Sequence, residues 1–489
     1  LLYQIIGLYF GLKTEPQSLS FYLLQTLDSL FFLNSTTLLG DSQGINRSID
    51  TNTWIGHNRL SIQGLNKESN QPMIKSHYTM VYNGELWRSM DSYKSKFELK
   101  SGSDTELLLS MFNSEQEDCI KSLDGMFGFA VLDEDKNQLT FARDFMGRIP
   151  LYYYKVGKKI VVASELKAIT NTINVNASDV SLVEPGCYYI FDYDTGKLEQ
   201  TRFYNFPLVT DIEDMSEEYV MNGIRDLLVE GVNNELISDV PVCTILSGGV
   251  DSTIITYLLK QRIPNLQAFV VSMGDTGKKD DLYYARMASK EIGVPLHEII
   301  IDEDWVEKNL CESIYAIEDY KWTQVSPAVA QLALAKRIHD EGFKVVFGGE
   351  GSDELFASYG DVFAWHYKDE DYIKKRYKLI VDLHKNNLIR TNKAMMYGGT
   401  VELRTPFLHK NLVEFCLRIP PKYKKEGQMW KPMLRKAFKG KLSDELLFRP
   451  KKTFQEGCHT IYLKNQKDII KDFYMSHYGE KNSLEQFMT

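Results

Sequence analysis

Cysteine is scarce in this chain. There are six in 489 residues (Cys119, Cys187, Cys243, Cys311, Cys416 and Cys458), and no two form a Cys-x-x-Cys pair. That excludes a zinc ribbon or a disulfide scaffold and suits a reducing compartment, with thiols that are structural or inert. A membrane-spanning run is lacking too, since no window approaches the roughly 18 apolar residues needed to cross a bilayer. The apolar opening, LLYQIIGLYFGL, has no basic leader and no cleavage pattern, so it reads as a buried strand rather than a signal peptide. The initiator Met is missing as well, which means an unusual start or a fragment. Positive charge is not in excess: the net charge of −9 argues against nucleic acid or an anionic membrane as a partner. Repeats and low-complexity segments are absent. These absences leave a cytoplasmic protein working on small molecules.

The composition that remains, 43% hydrophobic and 25% charged, is that of a globular protein too long for one typical domain. An α/β fold in two domains is expected. Residues 1–205 carry many short alternating runs, among them Tyr78–Asn83, Gly128–Leu132 and Gln138–Arg143, and two helical stretches, Ser18–Phe32 and Thr105–Ser114. Such a pattern predicts a layered α+β sandwich. The acidic segment Asp211–Ser216 reads as the linker into a second domain, 211–489. There strands and helices alternate: strands at Pro241–Leu246, Ala268–Ser272, His297–Ile301 and Lys344–Phe347, helices at Asp251–Gln261, Leu282–Ile292, Trp305–Tyr320 and Ala328–Asp340. This predicts a doubly wound parallel sheet with ligands at the carboxyl ends of its strands.

At one of those ends stands TILSGGVDST, residues 244–253. An apolar run turns on Ser-Gly-Gly and opens a helix with an acid and two hydroxyls. The unpaired N–H groups of such a helix start are a site for phosphate oxygens. Gly248 and Gly249 let the backbone approach a ligand, while Ser247, Ser252 and Thr253 add hydroxyl donors. The GK[ST] of the common P-loop is missing. The spacing is that of SGGxDS, the pattern of enzymes that cleave ATP between its α and β phosphates. The bland alternative is a tight turn without a ligand.

GGEGSDELFASY, at 348–359, ends another strand and offers Glu350, Asp353 and Glu354. By itself it is equally well an acidic turn capping a helix. Paired with the first motif it completes a nucleotide site, because acids from separate strand ends, Asp251 and Asp353, suit a Mg²⁺ that bridges triphosphate oxygens.

Taken together, these segments resemble the asparagine synthetases. HNRLSI at 57–62, YNGELW at 82–87, GSDTELLL at 102–109, LDGMFGFAVLDEDKNQLTFARDFMGRIPLYYY at 123–154 and VASELKAI at 162–169 are similar to the family's glutaminase domain. SGGVDST, GGEGSDELFASY, VELRTPFLH at 401–409 and RPKKTFQEG at 449–457 are similar to its synthetase domain. The resemblance implies an N-terminal-nucleophile sandwich followed by an adenine nucleotide α-hydrolase-like sheet. It also implies a ligase of asparagine biosynthesis that uses ATP and Mg²⁺ to join a small carboxylic acid to ammonia or an amine. A homodimer stays open.

Residue by residue, the resemblance assigns ATP to Leu246, Ser247, Gly248, Gly249, Asp251, Ser252, Val271, Gly348 and Gly349, and the metal to Asp251 and Asp353. Lys451 falls on the lysine that holds pyrophosphate and stabilises charge growing at the α phosphate. Glu350 falls on the acid that takes a proton as ammonia attacks, with Glu402 nearby. β-Lactam synthetases have Tyr where this chain has Glu350, which favours amide formation over ring closure. In the first domain Arg59 matches the glutamine carboxylate clamp, Asn83 and Gly84 the oxyanion hole, and Asp104 the contact with the glutamine amine.

Three departures qualify this. Tyr3 stands where the family has its nucleophilic Cys, and a phenol of pKa about 10 does not replace a thiolate. The RHRGPD loop is not recognisable in 33–46. A first domain unable to hydrolyse glutamine is therefore expected, with Arg59, Asn83 and Asp104 kept either by the fold or for binding. After IEDY at 317–320 the family's TTIRAS gives way to Trp322, Thr323, Gln324, Val325 and Ser326, and the arginine is gone. That leaves aspartate, another acid, an internal ring closure and a non-catalytic nucleotide-binding homologue all open.

Overall fold

In a computed structural model of the chain, residues 6–9, 41–48, 53–173, 175–207, 214–275, 280–356, 358, 370–450, 463 and 465–478 are described. Contacts divide it into two units, Leu1–Asn205 with Lys471–Thr489, and Phe206–Ile470. The expected helix at 18–32, Tyr3 and Lys451 lie outside the described residues.

In the first unit the period of two along each strand decides which core a side chain enters. Two six-stranded antiparallel sheets form; one of them runs, in order, Leu198–Arg202, Cys187–Asp192, Gln138–Arg143, Gly125–Asp133, Tyr78–Leu86 and Met73–Lys75. Val81, Ala130 and Leu132 share one core with Ile55, Ile160 and Val162 of the other sheet. Their alternates Met80, Tyr82, Phe129 and Val131 pack instead on the helix Asp104–Glu115 through Leu108, Met111 and Phe112. Every residue of Tyr78–Leu86 is buried, because both faces of this strand are covered. Each fully buried large side chain is worth about 1.5–3 kcal/mol. This is the sandwich expected.

The second unit is a five-stranded parallel sheet in the order Leu296–Ile301, Ala268–Met273, Val242–Ile245, Val345–Phe347 and Glu402–Arg404. The fifth strand was not anticipated, because Glu-Leu-Arg carries no apolar pattern. It is buried nonetheless: Arg404 Nε donates to Glu402 Oε1 at 2.9 Å, and the guanidinium also binds the Ile237 carbonyl at 2.5 Å. Another difference concerns the helix expected from Ala328, which starts at Trp322 and runs to Asp340 with Pro327 inside it. Proline removes one hydrogen bond near the start, and burial of Val325, Ala328, Val329 and Leu332 keeps the helix intact. The shift places Gln324 and Gln331 two turns apart on one face.

Candidate functional site

The strands Val242–Ile245 and Val345–Phe347 are parallel neighbours, with Thr244 opposite Phe347, so the loops that follow them leave the sheet side by side. They approach closely: a Cβ on Gly349 would lie 3.0 Å from Asp251 Cβ and 3.2 Å from Ser252 N. Gly249 is the N-cap of the helix Val250–Lys260 and no side chain caps it. Its first N–H groups are thus directed to whatever fills the space ahead of them. Ser247 Oγ and Ser252 Oγ are 3.0 Å apart across the same turn. That space is a cavity of about 240 Å³ lined by Ser247, Gly249, Asp251, Ser252, Glu350 and Asp353, among others.

Lys431 is the residue that the motifs did not reveal. Its Nζ lies 2.6 Å from Asp251 Oδ2, 2.6 Å from Asp353 Oδ1 and 3.1 Å from Ser352 Oγ. The residue is 1% exposed. Burial pulls its pKa down, but the two carboxylates outweigh this and the net shift is upward, so the ammonium is kept. It sits at φ 55°, in the left-handed region, immediately before Pro432 at the start of the helix Pro432–Ala437. A side chain held there costs about 1–2 kcal/mol, which is tolerated where the surroundings fix it. In sequence the only signal is a lysine ahead of a helix-starting proline.

Glu350 and Gly348 also line the cavity. Burial pushes the Glu350 carboxyl upward, and the charge of Arg390 opposes this. Its Oε2 has no hydrogen-bond partner among the described residues. Arg390, on the helix Asn387–Gly399, reaches the same cavity. It donates from Nη1 to Gln324 Oε1 (3.1 Å) and Asn387 Oδ1 (3.0 Å), and from Nε to Gln331 Oε1 (3.3 Å). These bonds hold the guanidinium at the cavity wall.

Several expected residues are not at the cavity wall. Leu246 is wholly buried, its N–H donating to Phe269 O at 2.8 Å. Gly248 has φ +70°, and a Cβ there would meet Ala285 N at 2.4 Å and Tyr284 C at 2.5 Å. The close packing of the helix Asp281–Ile292 by itself requires glycine here. Val271 is buried inside its strand, and Glu402 faces Arg404.

In the first unit Arg59, Gly84 and Asp104 line a small cavity of about 20 Å³, room for about one water molecule. Arg59 Nη2 donates to the Gln63 and Gly64 carbonyls at 2.9 and 2.6 Å, and Gln63 donates to Glu85. Asp104, whose pKa burial raises, accepts from Leu86 N at 3.1 Å and Thr105 N at 2.8 Å. Asn83 pairs with Gly128 in the sheet.

A glutamine amidotransferase domain model matches residues 40–204, and an asparagine synthase model matches 223–379 and 366–484. The chain belongs to the asparagine synthase family. Glutamine-hydrolysing asparagine synthetase B of Escherichia coli is 29% identical over 446 residues, spanning 86% of this chain and 77% of that protein. The glutamine-hydrolysing asparagine synthetase 1 of Saccharomyces cerevisiae is 28% identical and spans 87% of this chain and 81% of its own. Asparagine synthetase 3 of Bacillus subtilis is 27% identical, spanning 86% and 84%. An asparagine synthase of this kind is an ATP-dependent carbon–nitrogen ligase. Among the described residues no helix is long and apolar enough to cross a membrane.

Proposed function

We propose that the second unit converts a small carboxylic acid to its acyl-adenylate and then to an amide. A carboxylate oxygen attacks the α phosphorus of ATP, and the bond to the departing diphosphate breaks. Ammonia or an amine then attacks the acyl carbonyl, and AMP leaves. Adenylation makes a poor leaving group a good one. The observation that carries this reading is the joint position of Asp251 and Asp353, from two strand ends, around one cation at an uncapped helix start.

Ser247, Gly249 and Ser252 are the proposed phosphate contacts, and Glu350 the group that accepts the proton of the attacking nitrogen. A carboxyl with its pKa raised is closer to the range in which it can both take and release a proton at neutral pH. Lys451 is proposed, by family position, to hold the diphosphate. Two carboxylates that share one cation at 2.6 Å fit Mg²⁺, which takes a few carboxylates and completes its shell with phosphate oxygens and water. Asp251 and Asp353 would hold it, and when bound it neutralises and orients the phosphate oxygens. Among the described residues no cluster of three or more metal-binding side chains competes with them.

The loop arginine missing near 322–326 is compensated in charge by Arg390, which is bonded to Gln324 and faces the cavity. Aspartate is therefore the first acid to test, with other dicarboxylates beside it. The assay is pyrophosphate and AMP formation from ATP, Mg²⁺, ammonium and each acid. ADP instead of AMP, or no turnover with any acid despite ATP binding, would sink the reading.

We propose further that the first unit does not hydrolyse glutamine, on the identity of Tyr3 and on the way Arg59 and Asp104 are engaged within the unit. Free ammonium should then serve as nitrogen source far better than glutamine. Release of glutamate from glutamine at a rate matching amide formation would overturn this.

A further inference from the structure

We infer that Lys431 holds the place of the divalent cation between Asp251 and Asp353, so that Mg²⁺ enters only together with the nucleotide; this rests on the nucleotide site proposed above. The argument is one of shared oxygens. Lys431 Nζ engages Asp251 Oδ2 and Asp353 Oδ1, each at 2.6 Å. Of the remaining capacity, Asp251 Oδ1 accepts from Ser352 Oγ at 2.7 Å, and Asp353 Oδ1 also accepts from Ser358 Oγ at 2.6 Å. A metal bridging the two acids needs direct contact at about 2.1 Å with the edges that the ammonium covers.

A bare cation would have to displace Lys431. The displaced ammonium, in a residue 1% exposed, would keep only Ser352 Oγ of these three partners. Stranding a buried charge in this way is strongly unfavourable. A polyphosphate reverses the balance, because it brings oxygens for the metal and oxygens for Lys431 at once. Pro432 and the left-handed backbone at Lys431 fix the point from which the side chain swings.

The test is Mn²⁺ binding to the full chain, read by electron paramagnetic resonance with and without α,β-methylene-ATP. Wild type should bind Mn²⁺ at least tenfold more tightly with the analogue than without it. Lys431→Met should gain a nucleotide-independent Mn²⁺ site at least tenfold tighter than wild type, lost again when Asp353→Asn is added. Lys431→Arg keeps the charge and should show no such gain. If wild type alone binds Mn²⁺ as tightly as Lys431→Met does, the inference is wrong. Should Lys431→Met not fold, wild type and Asp251→Asn decide it: tight analogue-free Mn²⁺ binding by wild type that Asp251→Asn abolishes overturns the inference, and equally weak binding by both supports it. Absence of Mn²⁺ uptake by wild type even with the analogue would instead overturn the nucleotide site itself.

Discussion

Arg390 donates from Nη1 to Gln324 Oε1 over 3.1 Å, joining the helix Asn387–Gly399 to the helix Trp322–Asp340 at the wall of the cavity. On the reading proposed above, this guanidinium meets a second carboxylate on the acid. A charge-assisted contact of this kind is worth about 1.5–3 kcal/mol. Arg390→Ala should therefore raise KM for the acid by roughly ten- to a hundredfold and leave KM for ATP within about twofold. Steady-state pyrophosphate release with each substrate varied in turn gives the answer; an equal rise in both KM values would count against the role.

In its proposed role as the base, Glu350 acts in only one of the two half-reactions. Glu350→Gln should retain exchange of labelled pyrophosphate into ATP in the presence of the acid, because that needs only adenylation. Amide formation should fall by about 10²–10⁴-fold with the loss of a positioned base. Burial raises the carboxyl pKa, so the basic form is lost on the acid side at a higher pH than for an ordinary glutamate. The acid limb of kcat/KM should accordingly lie above the usual carboxylate range in wild type and be absent from Glu350→Gln.

The two glycines of the first loop should respond in opposite ways. Gly248→Ala drives a Cβ to within 2.4 Å of Ala285 N at a φ of +70° and should destabilise the fold by about 2–4 kcal/mol. Gly249→Ala meets nothing nearer than Ser247 Oγ at 3.4 Å and should melt close to wild type. It lies at the cavity wall, however, so ATP binding should weaken by about tenfold or more through crowding of the phosphate approach. Melting curves and nucleotide titrations on the two variants separate packing from binding.

Lys424 predicts a dependence of stability on pH. Its Nζ donates to the Leu355 carbonyl at 2.7 Å and to the Cys416 carbonyl at 2.9 Å, at the end of the short helix Ser352–Leu355 that carries Asp353. Burial, aided by the charge of Arg376 and opposed by Cys416, lowers its pKa to about 7, against about 10.4 in the unfolded chain. Between those values the unfolded state binds the additional proton, so stability rises with pH, by at most about 1.4 kcal/mol per unit. Below about 7 both states are protonated and the full cost of the buried charge is present. Urea midpoints at pH 6.5 and 8.5 should differ in wild type by more than in Lys424→Met. Parallel shifts in the two proteins would show that the lysine is protonated in both folded and unfolded states.

How much of this could be read from the chain differs from element to element. Alternation in Tyr78–Asn83 and Gly128–Leu132 announces strands, and the glycine turns after Leu246 and Phe347 announce the loops proposed to bind phosphate, because those signals depend on neighbours within a few residues. Glu402–Arg404 escaped notice because its burial depends on one ion pair within the strand and on the Ile237 carbonyl, which no local pattern encodes. At Gly248 the glycine is required by a helix more than 30 positions downstream, which no local pattern shows.

The sequence by itself therefore determined the family, the ATP-dependent ligase chemistry and the loops that start it. Tertiary structure decided which charges meet. Lys431 lies 180 positions from Asp251 and carries no motif, yet it closes the acid pair. Arg390 lies 66 positions from Gln324 and is bonded to it at the cavity wall. Local rules specify backbone shape over a turn or a strand, whereas a buried charge is placed by whatever distant group relieves its desolvation, and only the folded chain brings that group within reach.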